Sequence, residues 1–388
     1  MAYDIIVIGG GITGLAAAYE LARKKAGHIL LLEKEFITAG SSGSCAAGIR
    51  AQFGSEFNIG LMKRSLDKFE GLAQELDYPA DLIGLWQGGY LVMTYSQKEW
   101  ENLKSRVAVQ RSLGVMTEIL SSGEVKARWP KVNVEGSFGA TFHQRDGHAD
   151  PFYTTFAYSK AAERLGVEIR QWSPVVALVR EGERVQGVRL ADGSVIEAGK
   201  VLVATGAWTH HLMKTVGLEI PLSGERHEIL ITEPVERAFD PMIISFSLGY
   251  YIQQRPHGSF IMGLPPEKKH AWYDPKEFDI SPTWRFMERM SQAIGRFLPD
   301  FKGLSVVRQW AGLYENTPDA HHILGPIEEV PGLYIAAGGS GHGFMIAPGM
   351  ALPLAEWILG EPLSYDITRL NYKRFERKEF VLEPAVVG

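Results

Sequence analysis

Three glycines at G-x-G-x-x-G spacing (Gly9, Gly11, Gly14) follow directly on the apolar run Ile5–Ile8, and Glu33 comes nineteen residues after Gly14. The chemistry open to this set is dinucleotide binding. Gly9 suits a tight turn, Gly11 lets the backbone approach a pyrophosphate, and Gly14 allows a helix to pack closely on a sheet. Ile12 and Thr13 lie between them, and the helix that follows offers free amides and a positive dipole end that favour phosphate. Glu33, followed by Lys34, is placed to accept hydrogen bonds from both ribose hydroxyls.

Small residues recur at distant points. Ser41, Ser42, Ala47 and Gly48 lie in a Gly/Ser/Ala-rich stretch where backbone can lie flat against a ligand, and Arg50 stands just beyond it. Ala204, Thr205 and Gly206, with Trp208 after them, end an apolar run at Val201–Val203, a second place for close approach to a nucleotide. A third is the run Gly338 to Gly343, which includes Gly339, Gly341 and His342. By contrast, His321 and His322 are adjacent. On an extended segment they point to opposite faces, so one metal cannot easily take both, and no metal is expected.

The elements that must position these residues are legible from periodicity. Ile5–Ile8 and Ile29–Leu32 read as buried parallel strands around a helix from Leu15 to Lys25. A helix over Ser55–Asp77 carries Met62, Leu66, Phe69 and Leu76 on one face, and another over Ser96–Leu113 turns Trp100, Leu103 and Val107 inward. Asp150-Pro151 and Ser281-Pro282 each predict a cap followed by proline, the second opening a helix to Leu298. Strands are expected at Gly89–Tyr95, Arg226–Thr232, Ile243–Phe246, Tyr250–Gln254, Ser259–Gly263 and Leu333–Ala337. The last leads into a helix stopped by Gly360. Trp100, Trp129, Trp284 and Trp357 read as core residues rather than cofactor contacts.

Length and composition agree with a globular protein. The 388 residues suffice for two domains, and 45% hydrophobic and 22% charged content is ordinary. A net charge of -5 gives no reason to expect nucleic acid or an anionic membrane as partner. The single cysteine, Cys45, excludes an internal disulfide framework and any cysteine-built metal site. Ile5–Ala22 does not read as a signal peptide, because Asp4 precedes it and the glycine fingerprint lies inside it. The uncharged run Gly338–Ala355 contains Pro348 and Pro353 and reads as a loop entering a buried helix, not a membrane span. A cytoplasmic location is the expectation.

Together Gly9–Gly14 with Glu33, Ala204-Thr205-Gly206, Thr317-Pro318-Asp319 and Ala336–Gly343 resemble the D-amino-acid oxidase superfamily of FAD enzymes over essentially the whole chain. Gly48–Gly54, Ala149–Phe152, Pro241–Phe246 and Gly341–Met345 are most similar to the FAD-bearing β subunit of dye-linked L-proline dehydrogenase, with the β subunit of heterotetrameric sarcosine oxidase a near relative. The residues separately favour FAD over NAD. Glycine-rich segments at three distant points suit a long ligand whose ring end meets a C-terminal helix start, where the amides of His342, Gly343 and Phe344 would face the flavin pyrimidine.

The resemblance implies an α/β (α+β overall) fold: a Rossmann-like FAD-binding domain (1–84, 145–222 and 305–388) interleaved with an antiparallel-sheet substrate domain (85–144 and 223–304). It implies non-covalent FAD, a small amino-acid substrate, and an α subunit or homo-oligomer as partner, and it admits FMN at a subunit interface. Among cofactor contacts it adds Val176 and Gly312. It gives Arg50 the substrate carboxylate, which a guanidinium fork binds bidentately. It also makes Tyr251 a carboxylate donor and His227 a residue that orients the amine. Departures from relatives stand beside these. Tyr314 occupies the place of the carboxylate-binding arginine of glycine oxidase, and Gly312 that of the flavin-linked cysteine of monomeric sarcosine oxidase. Met345 and Ile261 take the places of that enzyme's substrate-binding and oxygen-activating lysines. The expected activity is oxidation of L-proline or a close analogue by hydride transfer to flavin, with electrons leaving to an acceptor other than oxygen. A sarcosine- or glycine-oxidase-type activity, a 2-hydroxyacid dehydrogenase and a non-catalytic flavin subunit stay open on the same fold.

Overall fold

The apolar N-terminal run becomes the central strand of a parallel sheet because both its faces are covered, so it has no polar face to alternate. The structure, a computed structural model, describes residues 2–267, 274–381 and 383. Strand Tyr3–Ile8 pairs in parallel with Ile29–Leu32 on one side and Val195–Val203 on the other. Glu168–Arg170 and Leu333–Ala337 extend the parallel array, and Ile323–Pro326 closes one edge antiparallel. A hairpin from Val175–Glu181 and Arg184–Leu190 branches off Val195–Val203. Helices Ile12–Arg23, Pro151–Arg164, Glu56–Glu75 and Gly343–Leu359 pack together in one core with this sheet.

The second sheet runs Val306–Asn316, Ser223–Pro234, Ser259–Leu264, Tyr250–Gln254, Met242–Ser245, Tyr90–Thr94, Gly139–His143, Glu118–Leu120. It is antiparallel except where Met242–Ser245 meets Tyr90–Thr94. Its outer face is covered by helix Trp284–Phe297, which buries Phe286, Met290, Ile294 and Phe297. The fold is thus α/β in its nucleotide half and α+β overall.

Several elements match the sequence pattern residue by residue. Asp150 caps its helix by accepting from the amides of Phe152 and Tyr153 at 2.9 Å, and Gly360, at φ 74°, ends the helix Gly343–Leu359. Two expectations need correction. The helix read from Ser281-Pro282 begins at Trp284 with Thr283 as its cap, because the Thr283 hydroxyl accepts from Phe286 N–H and is itself held by Glu228. Trp284 is not core: at 88% exposure it stands on the first turn, off the face that packs on the sheet.

The prolines inside the last helix are accommodated by a neighbour. The Ser65 hydroxyl, from helix Glu56–Glu75, donates to Met345 O and accepts from Gly349 N–H at 3.2 Å, so these two groups find partners beside Pro348. A side chain at Gly349 would run into Ser65 and Leu61. The helix is therefore fixed with its N-terminus at the junction of the two sheets.

Candidate active site

The glycine fingerprint, Glu33 and the Ala204 segment all follow the C-terminal ends of adjacent parallel strands, where open α/β sheets bind ligands. Gly9 has φ 115°, and a Cβ there would collide with Ala204 O; one on Gly14 would collide with Gly9 O. These two positions bring strand, helix and the Ala204 turn closer than any side chain allows. Ser42 reaches across so that its hydroxyl accepts from Ile12 N–H at 3.0 Å. The Glu33 carboxylate accepts from Gly10 N–H at 2.6 Å and Glu35 N–H at 2.9 Å, which fixes it at the strand end with lone pairs to spare. Lys34 Nζ lies 3.7 Å from the centre of the Trp208 ring, joining two of the anticipated cofactor residues from distant parts of the chain. Thr205 Oγ1 is 3.0 Å from Thr209 Oγ1, beside Gly206. Val176 stands apart on the branching hairpin, 49% exposed.

From this crevice a cleft continues between the two sheets. Its lining contains Ile12, Thr13, Ser41, Ser42, Ala47 and Gly48 on the nucleotide side. Gly339, Gly341, His342, Gly343, Phe344 and Met345 line it at the start of the last helix, and Gly312 lines it from strand Val306–Asn316. Arg50, His227 and Tyr251 line it on the side of the antiparallel sheet. Gly9, Gly11, Gly14, Glu33, Lys34, Val176, Ala204, Thr205, Gly206 and Trp208 are not in that lining. Ile261 is not either; it sits two pairs beyond Gly263, opposite Ile231, so its place in the chain does not put it at the cleft. Among the described residues no lysine lines the cleft.

Arg50 is 3% exposed, with its guanidinium 4.1 Å from the centre of the Phe53 ring and 5.3 Å from that of Phe246. Its Nη1 donates to Gln52 O at 2.8 Å. Gln52 is held in turn: its amide donates to Tyr90 O at 2.9 Å, and Thr141 donates to its Oε1 at 2.8 Å. Asp146 accepts from Ala51 N–H at 2.8 Å and lies 2.6 Å from His143 Nδ1. Burial pulls the Arg50 pKa below its usual value, against the pull of Tyr90, Glu383 and Asp146, so an anionic ligand at this end of the cleft would relieve the cost of a desolvated cation.

His227 Nε2 lies 2.7 Å from Glu225 Oε1, and its ring stacks on Tyr314 at 3.7 Å between centroids. The Tyr251 ring lies against Gly263, where any Cβ would collide with it, and burial raises its pKa well above the ordinary range. The hydroxyl therefore stays protonated, a donor at any working pH. His342 lies 3.0 Å from Ser340 O through Nδ1, its Nε2 finds no protein partner, and burial lowers its pKa to about 3. It is neutral. Sequence reasoning missed the support for Arg50 and two cleft residues, Tyr90 and Glu315. A buried Gln or Asp carries no local pattern, although Glu315 is legible as a departure next to Tyr314.

A profile of the DAO family, described as FAD dependent oxidoreductase, matches residues 4–357. The chain belongs to the DAO family. This DAO-family chain is 28% identical to sarcosine oxidase subunit beta of an Arthrobacter species, over 98% of its own length and 93% of the relative's. It is 28% identical to 4-methylaminobutanoate oxidase (formaldehyde-forming) of Paenarthrobacter nicotinovorans over 95% of its own length, but spans only 45% of that relative. In structure it is similar to L-proline dehydrogenase from P. horikoshii, with a TM-score of 0.89, 34% identity, and 98% and 99% of the two chains covered. Glycine oxidase from Geobacillus kaustophilus shares the fold at a TM-score of 0.86 and 23% identity, over 96% and 99% of the chains.

The donor set fits the family's cofactor. The crevice offers the helix start at Ile12, the Ser42 hydroxyl and the Glu33 carboxylate, and two buried polar atoms beside the cleft, Glu315 Oε2 and His342 Nε2, lack protein partners. Among the described residues no group of acidic, histidine or cysteine side chains could hold a metal ion. No helix among them is long and apolar enough to cross a membrane.

Proposed function

We propose that this DAO-family oxidoreductase oxidises a small secondary amino acid, L-proline or a close analogue, and delivers the electrons to an acceptor other than oxygen. The observation that carries the reading is the buried Arg50 guanidinium, lining the cleft with the Phe53 and Phe246 rings beside it. Bound FAD would supply the acceptor for the electron pair of the carbon–hydrogen bond next to nitrogen. The chain's own residues do the positioning. Arg50 takes the substrate carboxylate in a bidentate pair. Tyr251, protonated throughout, donates a further hydrogen bond. His227, oriented by Glu225, faces the amine and favours the deprotonated form that can lose a hydride. Two closed sheet faces exclude water around them.

Similarity to L-proline dehydrogenase supports proline as substrate, and similarity to sarcosine oxidase subunit beta supports an N-methyl amino acid as the second candidate and a partner subunit as the setting. The test is anaerobic bleaching of the flavin absorbance by a panel of proline, sarcosine, glycine, D-alanine and 2-hydroxy acids. Bleaching by proline ahead of the others is expected. Fastest reduction by sarcosine moves the assignment to N-methyl amino acids, and reduction by the hydroxy acids alone overturns it.

A further inference from the structure

Glu315 occupies a position that the substrate chemistry above does not use. It lies on strand Val306–Asn316 and lines the cleft between two of the small-residue segments that approach the nucleotide. Its Oε1 accepts from Gly339 N–H at 3.1 Å. A Cβ on Gly206 would come within 3.7 Å of its Oε2, which is shut off from solvent and has no partner among the described residues. Its main chain is tied to the same loop, since Ser340 N–H donates to Glu315 O at 3.1 Å. A carboxyl with one oxygen satisfied and the other buried, idle and aimed between Gly206 and Gly339 is built for a ligand.

We propose that Glu315 is a cofactor ligand that works in its neutral form, donating a hydrogen bond from Oε2 to the oxygen-rich middle of FAD, between the adenosine and the ring system. A neutral carboxyl is a donor; an ionised one can only accept, and it would set a further negative charge beside a cofactor that already carries two phosphates. Ionisation of Glu315 therefore weakens FAD binding.

The surroundings favour the neutral form. Burial raises the carboxyl pKa to about 7, with the Gly339 and Gly338 backbone only partly opposing it. No cationic side chain bonds it among the described residues. The titratable and charged groups on the elements around it are Tyr314 and Arg308 on its own strand, Glu225, Arg226, His227, Glu228 and Glu233 on strand Ser223–Pro234, Cys45 across the cleft, His342 on the glycine loop, and His210, His211 and Lys214 on the helix Thr209–Lys214 that follows Gly206. Arg226 is paired with Glu228 at 2.7 Å. Glu225 is engaged by His227 and by Asn316 at 3.3 Å, and His342, with a pKa of about 3, is neutral above mildly acidic pH. Burial raises the Tyr314 pKa above its ordinary value and pushes Cys45 up to about 12, so both stay protonated.

The experiment measures FAD affinity rather than turnover. Full-length holoenzyme is diluted in series between about pH 6 and pH 9, and released flavin is read by its fluorescence. For the wild type the dissociation constant is expected to rise with pH above about 7, approaching roughly tenfold per pH unit if only the neutral form binds. Glu315→Gln keeps a donor at every pH, so its dissociation constant should stay flat over that range. A slope that survives Glu315→Gln belongs to another group and overturns the proposal, as does a wild-type constant that does not change with pH. If Glu315→Gln does not fold, calorimetry on the wild type decides. In two buffers of different ionisation enthalpy at about pH 8, FAD binding should take up close to one proton, and uptake near zero refutes the assignment.

Discussion

Replacing Arg50 is the sharpest test of the substrate end of the cleft. The side chain is 3% exposed, so solvent does not screen its charge, and Phe53 and Phe246 hold its plane. Two charge-assisted bonds to a carboxylate are worth about 1.5–3 kcal/mol each before the desolvation of both ions is subtracted. A net loss of about 2–4 kcal/mol in Arg50→Ala is the result, or roughly 30- to 1000-fold in kcat/KM. Arg50→Lys keeps the charge but gives up the fork and the flat stacking on Phe53, and should lose about 1–2 kcal/mol, carried largely by KM. Steady-state turnover with an artificial dye as acceptor gives kcat and KM, and flavin absorbance per protein checks that the cofactor is retained. An Arg50→Ala protein with full flavin content and a kcat/KM within about threefold of wild type would refute the assignment of Arg50 to the carboxylate.

Acid precipitation should release all yellow colour to the supernatant, because Cys45 is the chain's single cysteine and the family resemblance, with glycine at position 312, implies non-covalent FAD; colour in the pellet would point to Cys45 or His148. Substrate-reduced enzyme mixed with air-saturated buffer should reoxidise slowly compared with its reaction with a dye, since no lysine among the described residues lines the cleft to stabilise a superoxide-like state. Equal rates with oxygen and dye would make the protein an oxidase. Asp319→Asn should destabilise the fold by about 3–5 kcal/mol in urea unfolding, because it breaks a buried bidentate pair. The Asp319 oxygens accept from Arg374 Nε at 2.8 Å and Nη2 at 2.9 Å, with side chains 1% and 3% exposed. Burial pushes the Asp319 pKa up, but the Arg374 hydrogen bonds outweigh it and the net shift is downward. The carboxylate's contribution should therefore be full above about pH 4 and fade as pH falls through the lowered value, a dependence that Asp319→Asn removes.

What the sequence determined by itself is the nucleotide half. Strand, glycine turn, helix and second strand are neighbours in the chain, and their hydrophobic periods and glycine spacings are local consequences of backbone geometry. Hence Gly9, Gly14 and Glu33 occupy the strand-end positions their spacing implies, and the caps at Asp150 and Gly360 fall on the residues expected of them. At Ser281-Pro282 the same local rule failed, because Glu228, from a distant strand, supports Thr283 as the cap instead. The substrate end was decided only by tertiary structure. Arg50 owes its seat to Gln52, Tyr90, Asp146 and Phe246, and the Glu315 carboxyl owes its pKa of about 7 to being closed in beside Gly206 and Gly339. The energy of a buried charge is set by which distant segments exclude water from it and which dipoles they offer in return. A one-dimensional pattern carries neither quantity, so the residues that hold a nucleotide can be read from their spacing, while those that set charge at the reacting end appear only once the chain has folded around them.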